Sequence, residues 1–212
     1  LIKKDKNFLF SNTLIKKKSL SDDILKKELL QIPSMSTFAI GYVINKICQL
    51  LRKEDIYVNI GVWKGFSLIA GMINTDCIVH GVDNFSEFDG PEEEFLKNFG
   101  KYKNPNSHFF SNCDYRVFLK NFEKENKPIN FYYYDGEHSY KEQLENLIIA
   151  KEFFIKGTII LVDDINFIDV ETGTKDFINK YSNQYEILKE IKTANNHCHP
   201  SYWNGLMLFK KK

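Results

Sequence analysis

The chain has 212 residues with 29 basic and 28 acidic side chains, a net charge of +1, which removes any electrostatic reason to expect nucleic acid or an anionic membrane surface as partner. At this length one domain can bury roughly 70% of its unfolded surface, so a single core is enough. Neither a run of about 18 apolar residues nor the apolar centre of a secretory signal is present in this stretch, and Cys48, Cys77, Cys113 and Cys198 stand apart with no C-x-x-C pair, so the expectation is a chain with no membrane span, not exported, in the reducing cytoplasm.

Residues 1–18 are lysine-rich without periodicity and read as an arm. Ser21 has the character of a helix N-cap, with Asp22 and Asp23 in the first turn and Ile24, Leu25, Leu29 and Leu30 forming an apolar stripe up to Pro33. A second helix follows Ser36 or Thr37, because Ile40, Val43, Ile44, Ile47, Leu50 and Leu51 recur at helical spacing. The reading therefore divides the chain into an N-terminal arm and helix, 1–35, and a main domain, 36–212. The first two helices are expected to cover a sheet edge or a ligand cleft, and their apolar faces could pair with a second copy.

From Ile56 the pattern alternates strand, turn and helix, the mark of a doubly wound α/β domain with a mostly parallel sheet. Strands are expected at 56–60, 78–82, 107–111, 129–134 and 158–162, with helices over 67–73, from Pro91 at the first helical position to Gly100, after Asp114, after Ser139, and over 173–181. Asp114 is placed as a cap for a helix turning Val117, Phe118 and Phe122 inward, and Ser139 with Glu142 as a capping box whose helix carries Phe154 and stops near Gly157. Two last strands, 185–191 and 206–209, lie close enough in sequence to pair as an antiparallel hairpin and complete a sheet of seven. Between them His197 and His199 form an H-x-H pair in a loop with Pro200 and Trp203, and the Tyr132-Tyr133-Tyr134 run reads as a buried strand.

Two apolar runs end abruptly in acid: Phe131-Tyr-Tyr-Tyr-Asp135-Gly-Glu137-His138-Ser139 and Ile159-Ile-Leu-Val-Asp163-Asp164. As parallel strands joined by a crossover they end on the same sheet edge, so Asp135, Asp163 and Asp164 are expected to meet where open α/β sheets bind ligands. Unit charges about 4 Å apart repel by roughly 4 kcal/mol at an effective dielectric near 20, so three carboxylates call for a hard divalent cation or a shared proton. Gly61-x-x-x-Gly65 lies between the first strand and its helix, where glycine lets a ligand approach the backbone. Asp83 ends the second strand about 20 residues on, where an acid can take both ribose hydroxyls. The pair suggests a nucleoside-containing cofactor without the G-x-G-x-x-G dinucleotide fingerprint.

Taken together, Tyr57-Val-Asn-Ile-Gly-Val-Trp-Lys-Gly-Phe-Ser67, Asp83, Asp135-Gly-Glu-His-Ser-Tyr140 and Leu161-Val-Asp-Asp164 resemble the class I S-adenosylmethionine-dependent methyltransferases, and among them the macrocin O-methyltransferase and cephalosporin-hydroxylase-like group. The resemblance covers about residues 36–212. It implies a Rossmann-like seven-stranded sheet with an antiparallel C-terminal hairpin. S-adenosyl-L-methionine would lie with its methionine part against Gly61 to Gly65 near Ser67, its ribose on Asp83 and its adenine near Cys113-Asp114-Tyr115. Asn59 stands where the family usually carries an acid facing the cofactor's ammonium. Asp135 would touch both the cofactor and a magnesium ion held by Asp135, Asp163 and Asp164.

The function so implied is methylation of a small hydroxylated acceptor, a sugar or secondary metabolite, with Glu137 or His138 as the base. The competing reading, motivated by Asn59, is a module that keeps the fold and binds a ligand without catalysis. A nicotinamide-dependent oxidoreductase is a third reading, disfavoured by the missing second glycine of the dinucleotide turn.

Overall fold

In the computed structural model, residues 20–194 and 199–212 are described; the unpatterned arm, His197 of the H-x-H pair and Cys198 lie outside them. The elements run α1 (Leu20–Leu29), α2 (Phe38–Cys48), β1 (Ile56–Ile60), α3 (Phe66–Met72), β2 (Ile78–Asp83), α4 (Glu92–Tyr102), β3 (His108–Asn112), α5 (Tyr115–Phe122), β4 (Ile129–Tyr134), α6 (Tyr140–Ala150), β5 (Phe154–Asp163), α7 (Ile168–Lys180), β6 (Tyr185–Ile191) and β7 (Leu206–Lys211). Among the described residues no helix is long and apolar enough to cross a membrane.

The seven strands form one sheet in the order β3-β2-β1-β4-β5-β7-β6. The first five are mutually parallel, and β7 enters antiparallel between β5 and β6. The order reverses between β1 and β4, the switch point at which the loops after neighbouring strands splay apart and open a crevice at their carboxyl ends.

Both faces of the sheet are covered, which explains why β1 is buried at every position. Pleating sends Tyr57, Phe131, Tyr133 and Leu161 to the face under α1, α2, α3 and α4, where Leu25, Leu29, Ile40, Leu68 and Phe95 pack. It sends Val58, Ile60, Tyr132, Tyr134, Ile160 and Val162 to the face under α5, α6 and α7, with Phe118, Leu119, Leu147 and Phe177. The tyrosine run is thus interior, as expected, and each large side chain so buried contributes about 1.5–3 kcal/mol. The α1 helix belongs to the same core as α2 and α3 rather than standing apart.

Several boundaries differ from the sequence reading. The α1 helix is already formed at Leu20, so Ser21 lies inside it and is not its cap. The second helix ends at Cys48 on Thr37 as N-cap, and Leu50 is left 65% exposed beyond it. Gly100 does not stop α4, which continues to Tyr102. Val117 points outward because Tyr115, Phe118, Leu119 and Phe122 already fill the inner i, i+3, i+4, i+7 stripe of α5. Phe154 begins β5 instead of ending a helix, and α7 starts at Ile168, with Gly173 in its interior where a Cβ would come within 3.1 Å of the Gln143 side chain. Close helix packing, not a break, explains that glycine.

Candidate functional site

The turn after β1 is forced by what lies above it. Gly61 has φ +79°, and a Cβ there would sit 1.9 Å from the carbonyl oxygen of Asp135, so no other residue fits. Asp83 holds the turn in place: its Oδ2 accepts from the Val62 and Trp63 amides at 2.8 and 2.9 Å, and its Oδ1 accepts from the Phe85 amide at 2.8 Å. Asn59 braces the same turn from below. It is fully buried, accepts from Ser67 Oγ at 2.9 Å and from the Tyr57 hydroxyl at 3.3 Å, and donates to the Gly61 carbonyl at 3.1 Å. Gly61, Ser67 and Asp83 line the cavity described below, whereas Asn59 lies behind them.

The ends of β4 and β5 bring acids together. One ligand atom each from Asp135, His138 and Asp164 falls within 4.8 Å of the others, and His138 Nε2 lies 2.9 Å from Asp164 Oδ2. The His138 ring stacks on Phe167, centroids 5.1 Å apart. Asp163, expected in this group, is turned inward, where the Tyr133 hydroxyl donates to its Oδ2 and the Asp164 amide to its Oδ1 at 3.0 Å. Consecutive strand residues cannot present their carboxylates to the same side unless the backbone bends. It bends at Asp164, at φ +61°, which turns that carboxylate toward His138 while Asp163 stays beside Tyr133.

The charges in this corner are poorly compensated. Burial first, then the neighbouring Asp163 and Asp164, pushes the Asp135 carboxyl well above the usual range. Burial and Asp164 push Asp163 to about 7. At His138 burial alone would lower the basicity, but the hydrogen bond and charge of Asp164, helped by Glu87 and Asp163, raise it on balance. Asp164 Oδ1 is buried with no hydrogen-bond partner. An orphaned carboxylate oxygen among mutually repelling acids fits a bound cation, and the Asp135 and Asp164 carboxylates are hard oxygen donors suited to a divalent metal.

A cavity of ≈ 440 Å³ joins the two halves. At its far end Asp114 caps α5 through the Arg116 amide at 2.8 Å, and Tyr115 donates to Glu142 at 3.1 Å. Arg116 lies behind, bound to Glu142 and Glu145 at 2.6 and 2.8 Å. Glu142 therefore answers Arg116 rather than closing the expected capping box, although Ser139 does accept from its amide at 3.4 Å. Trp63 Nε1 and Ser36 Oγ, both at the cavity, are buried without a partner.

Sequence reasoning expects acceptor contacts from the N-terminal helices, the loop from Asn84 to Glu94, the segment after Asp164 and the hairpin loop, without naming Ser36, Glu87, Phe88 or Phe167 singly. One signal for them exists only in three dimensions. Of the eight non-glycine residues with positive φ among those described, Trp63, Phe85, Phe88, Asp164 and Trp203 line the cavity. Such conformations cost about 1–3 kcal/mol each and gather where a ligand is held.

The family described as Methyltransferase domain matches residues 58–165. No curated protein matches the chain. Among solved structures, an O-methyltransferase from Bacillus cereus in complex with SAH superposes with a TM-score of 0.67 at 13% identity, covering 94% of each chain. TomG from Streptomyces achromogenes, an O-methyltransferase involved in tomaymycin synthesis and determined with SAM, gives 0.66 at 13% over 94% of this chain and 92% of that one. A putative caffeoyl-CoA O-methyltransferase from Staphylococcus aureus gives 0.63 at 13% over 92% and 93%. At these identities the likeness speaks for the fold.

Proposed function

The chain belongs to the methyltransferase-domain family, and on that premise we propose that it is an S-adenosylmethionine-dependent O-methyltransferase that uses a divalent metal, magnesium by the chemistry of its carboxylates, to methylate a small hydroxylated molecule such as a sugar or secondary metabolite. The observation that carries this reading is the single cavity edge shared by the Asp83-tied glycine turn and the Asp135, His138, Asp164 group.

Bound cofactor supplies an electrophilic methyl group on a sulfonium, and a bound divalent ion supplies positive charge that makes a nearby hydroxyl more acidic. In this reading the Gly61-Val62-Trp63 stretch of the turn lies against the methionine part and Ser67 closes that end, while Gly65 and Asn59, which do not line the cavity, act by shaping the turn. Asp83 meets the ribose with the lone pairs its three backbone donors leave free. Asp114 and Tyr115 flank the adenine. Asp135 and Asp164 hold the metal, and Asp163 acts behind them by fixing the Asp164 backbone.

His138 is the better candidate for the base. Its ring is fixed by Phe167 and Asp164, whereas Glu137 is exposed. A fixed imidazole can hold the hydroxyl proton while the acceptor oxygen is kept in line with the methyl group, an alignment that can contribute about 7–11 kcal/mol. Calorimetric titration with S-adenosylhomocysteine, with and without EDTA, tests the reading. Binding that survives chelation, together with magnesium-dependent methyl transfer, is the expected outcome. No heat at millimolar ligand would favour a silent binding module instead.

A further inference from the structure

Outside the acid group, two buried polar atoms of cavity-lining residues have no hydrogen-bond partner among the described residues: the indole Nε1 of Trp63 and the hydroxyl Oγ of Ser36. Nearly all buried polar groups in folded chains are paired, because a buried donor left unmet is costly. An indole N–H can only donate, so whatever completes Trp63 must present an acceptor. A hydroxyl facing the same ligand can donate to it as well.

Their places in the fold bring them to the same end of the cavity. Trp63 belongs to the turn after β1, where its backbone is held at φ +43° and its amide donates to Asp83. A bulky side chain in that conformation is strained, and the ring is further fixed by Lys64, whose Nζ lies 4.7 Å from its centroid. Ser36 stands immediately before Thr37, the N-cap of α2. One turn into α2, a Cβ at Gly41 would come within 3.1 Å of the Phe66 ring, and Phe66 opens α3 three residues after Trp63. The start of α2 therefore packs beside the β1 turn, the part of the cavity read above as taking the methionine end of the cofactor. Of the groups at that end, a sulfonium neither donates nor accepts, an ammonium only donates and a carboxylate only accepts. The carboxylate alone matches two unmet donors. Asn59, bonded within the turn and outside the cavity lining, gives β1 no acid with which to read the ammonium instead.

We infer that the Trp63 indole N–H and the Ser36 hydroxyl are the donors that hold the carboxylate of the cofactor's methionine part. This rests on the methyltransferase reading and assigns that site two binding residues from separate elements. Hydrogen bonds to a charged acceptor are the strong ones, and both donors are already placed before the ligand arrives.

The test compares S-adenosylhomocysteine with its decarboxylated analogue, which keeps the adenosine, the thioether and the amine on a bare aminopropyl tail. In calorimetry, Trp63→Phe and Ser36→Ala should each weaken S-adenosylhomocysteine about ten-fold or more while leaving the affinity for the analogue unchanged, a coupling that a merely structural role would not produce. Ser36→Ala removes an unpartnered hydroxyl, so it keeps the test decisive should Trp63→Phe fail to fold. The chain's tryptophans are Trp63 and Trp203, so isotope-labelled protein gives two indole N–H resonances, told apart with Trp203→Phe. S-adenosylhomocysteine should move that of Trp63 downfield, as a donor newly bonded to a carboxylate, and the analogue should not. A loss in either variant that is the same for both ligands, or a Trp63 resonance that both ligands move alike or leave in place, overturns the inference. Failure of S-adenosylhomocysteine to bind the unaltered protein counts instead against the methyltransferase reading.

Discussion

The two halves of the cavity are built on opposite principles. At the β1 and β2 ends the acidic and amide side chains are matched, and only the Trp63 indole among the turn's buried side chains lacks a partner: Asp83 takes three backbone donors, and Asn59 is bonded to Ser67, Tyr57 and the Gly61 carbonyl. At the β4 and β5 ends Asp135, Asp163 and Asp164 crowd together, one carboxylate oxygen is orphaned, and two of the three carboxyls hold their protons far more tightly than usual. The carboxylate of the first half is satisfied as folded, while the second keeps an unsatisfied carboxylate oxygen among repelling acids. A matched half sets where a cofactor sits, and an unmatched half stores unfavourable charge that a metal and an acceptor oxygen can relieve.

Substitutions should act with opposite signs on the two halves. Asp164→Asn removes a carboxylate from the metal group, and methyl transfer should fall by about 10²-fold or more while S-adenosylhomocysteine affinity changes little; a parallel loss of both would erase the division of labour. His138→Gln should lower turnover by about 10²-fold or more, whereas Glu137→Gln should leave it nearly intact, and equal losses would leave the two candidates for the base unresolved in role. In chemical denaturation, Asp83→Asn should destabilise by about 1–3 kcal/mol, because its amide nitrogen cannot accept from the turn. Asp164→Asn, measured without metal, should instead stabilise by about 1 kcal/mol through relief of repulsion, and destabilisation there would show the acid half to be matched after all.

A pH-dependent background must be separated from that comparison. His80 is buried against Phe109, Phe118 and Phe122, and burial, with Lys127 adding, lowers its pKa to about 4. Between about pH 6.5 and 4 the unfolded chain takes up a proton at His80 that the folded one refuses, so the His80 contribution to stability falls as pH falls, by up to about 3 kcal/mol, against the opposite contribution of the raised Asp135 and Asp163 carboxyls. His80→Phe should flatten that part of the stability profile, and an unchanged slope would place its cause elsewhere.

The alternation of strand and helix from Ile56 onward, the acids at strand ends and the glycine turn were legible because each depends on local pattern: a pleat repeats every two residues, a helix every 3.6, and a parallel sheet aligns its strand ends. Helix ends such as those of α4 and α7 were less legible, since packing overrides a lone glycine. The sequence by itself determined that Asp83, Asp135 and Asp163-Asp164 would share one edge. Which oxygens face one another was decided only by the tertiary structure, through the left-handed backbone at Asp164 that brings it to His138 and leaves Asp163 on Tyr133. The same holds for Asn59, bonded within the turn: a side chain's direction depends on neighbours distant in the chain, and periodicity contains no information about them.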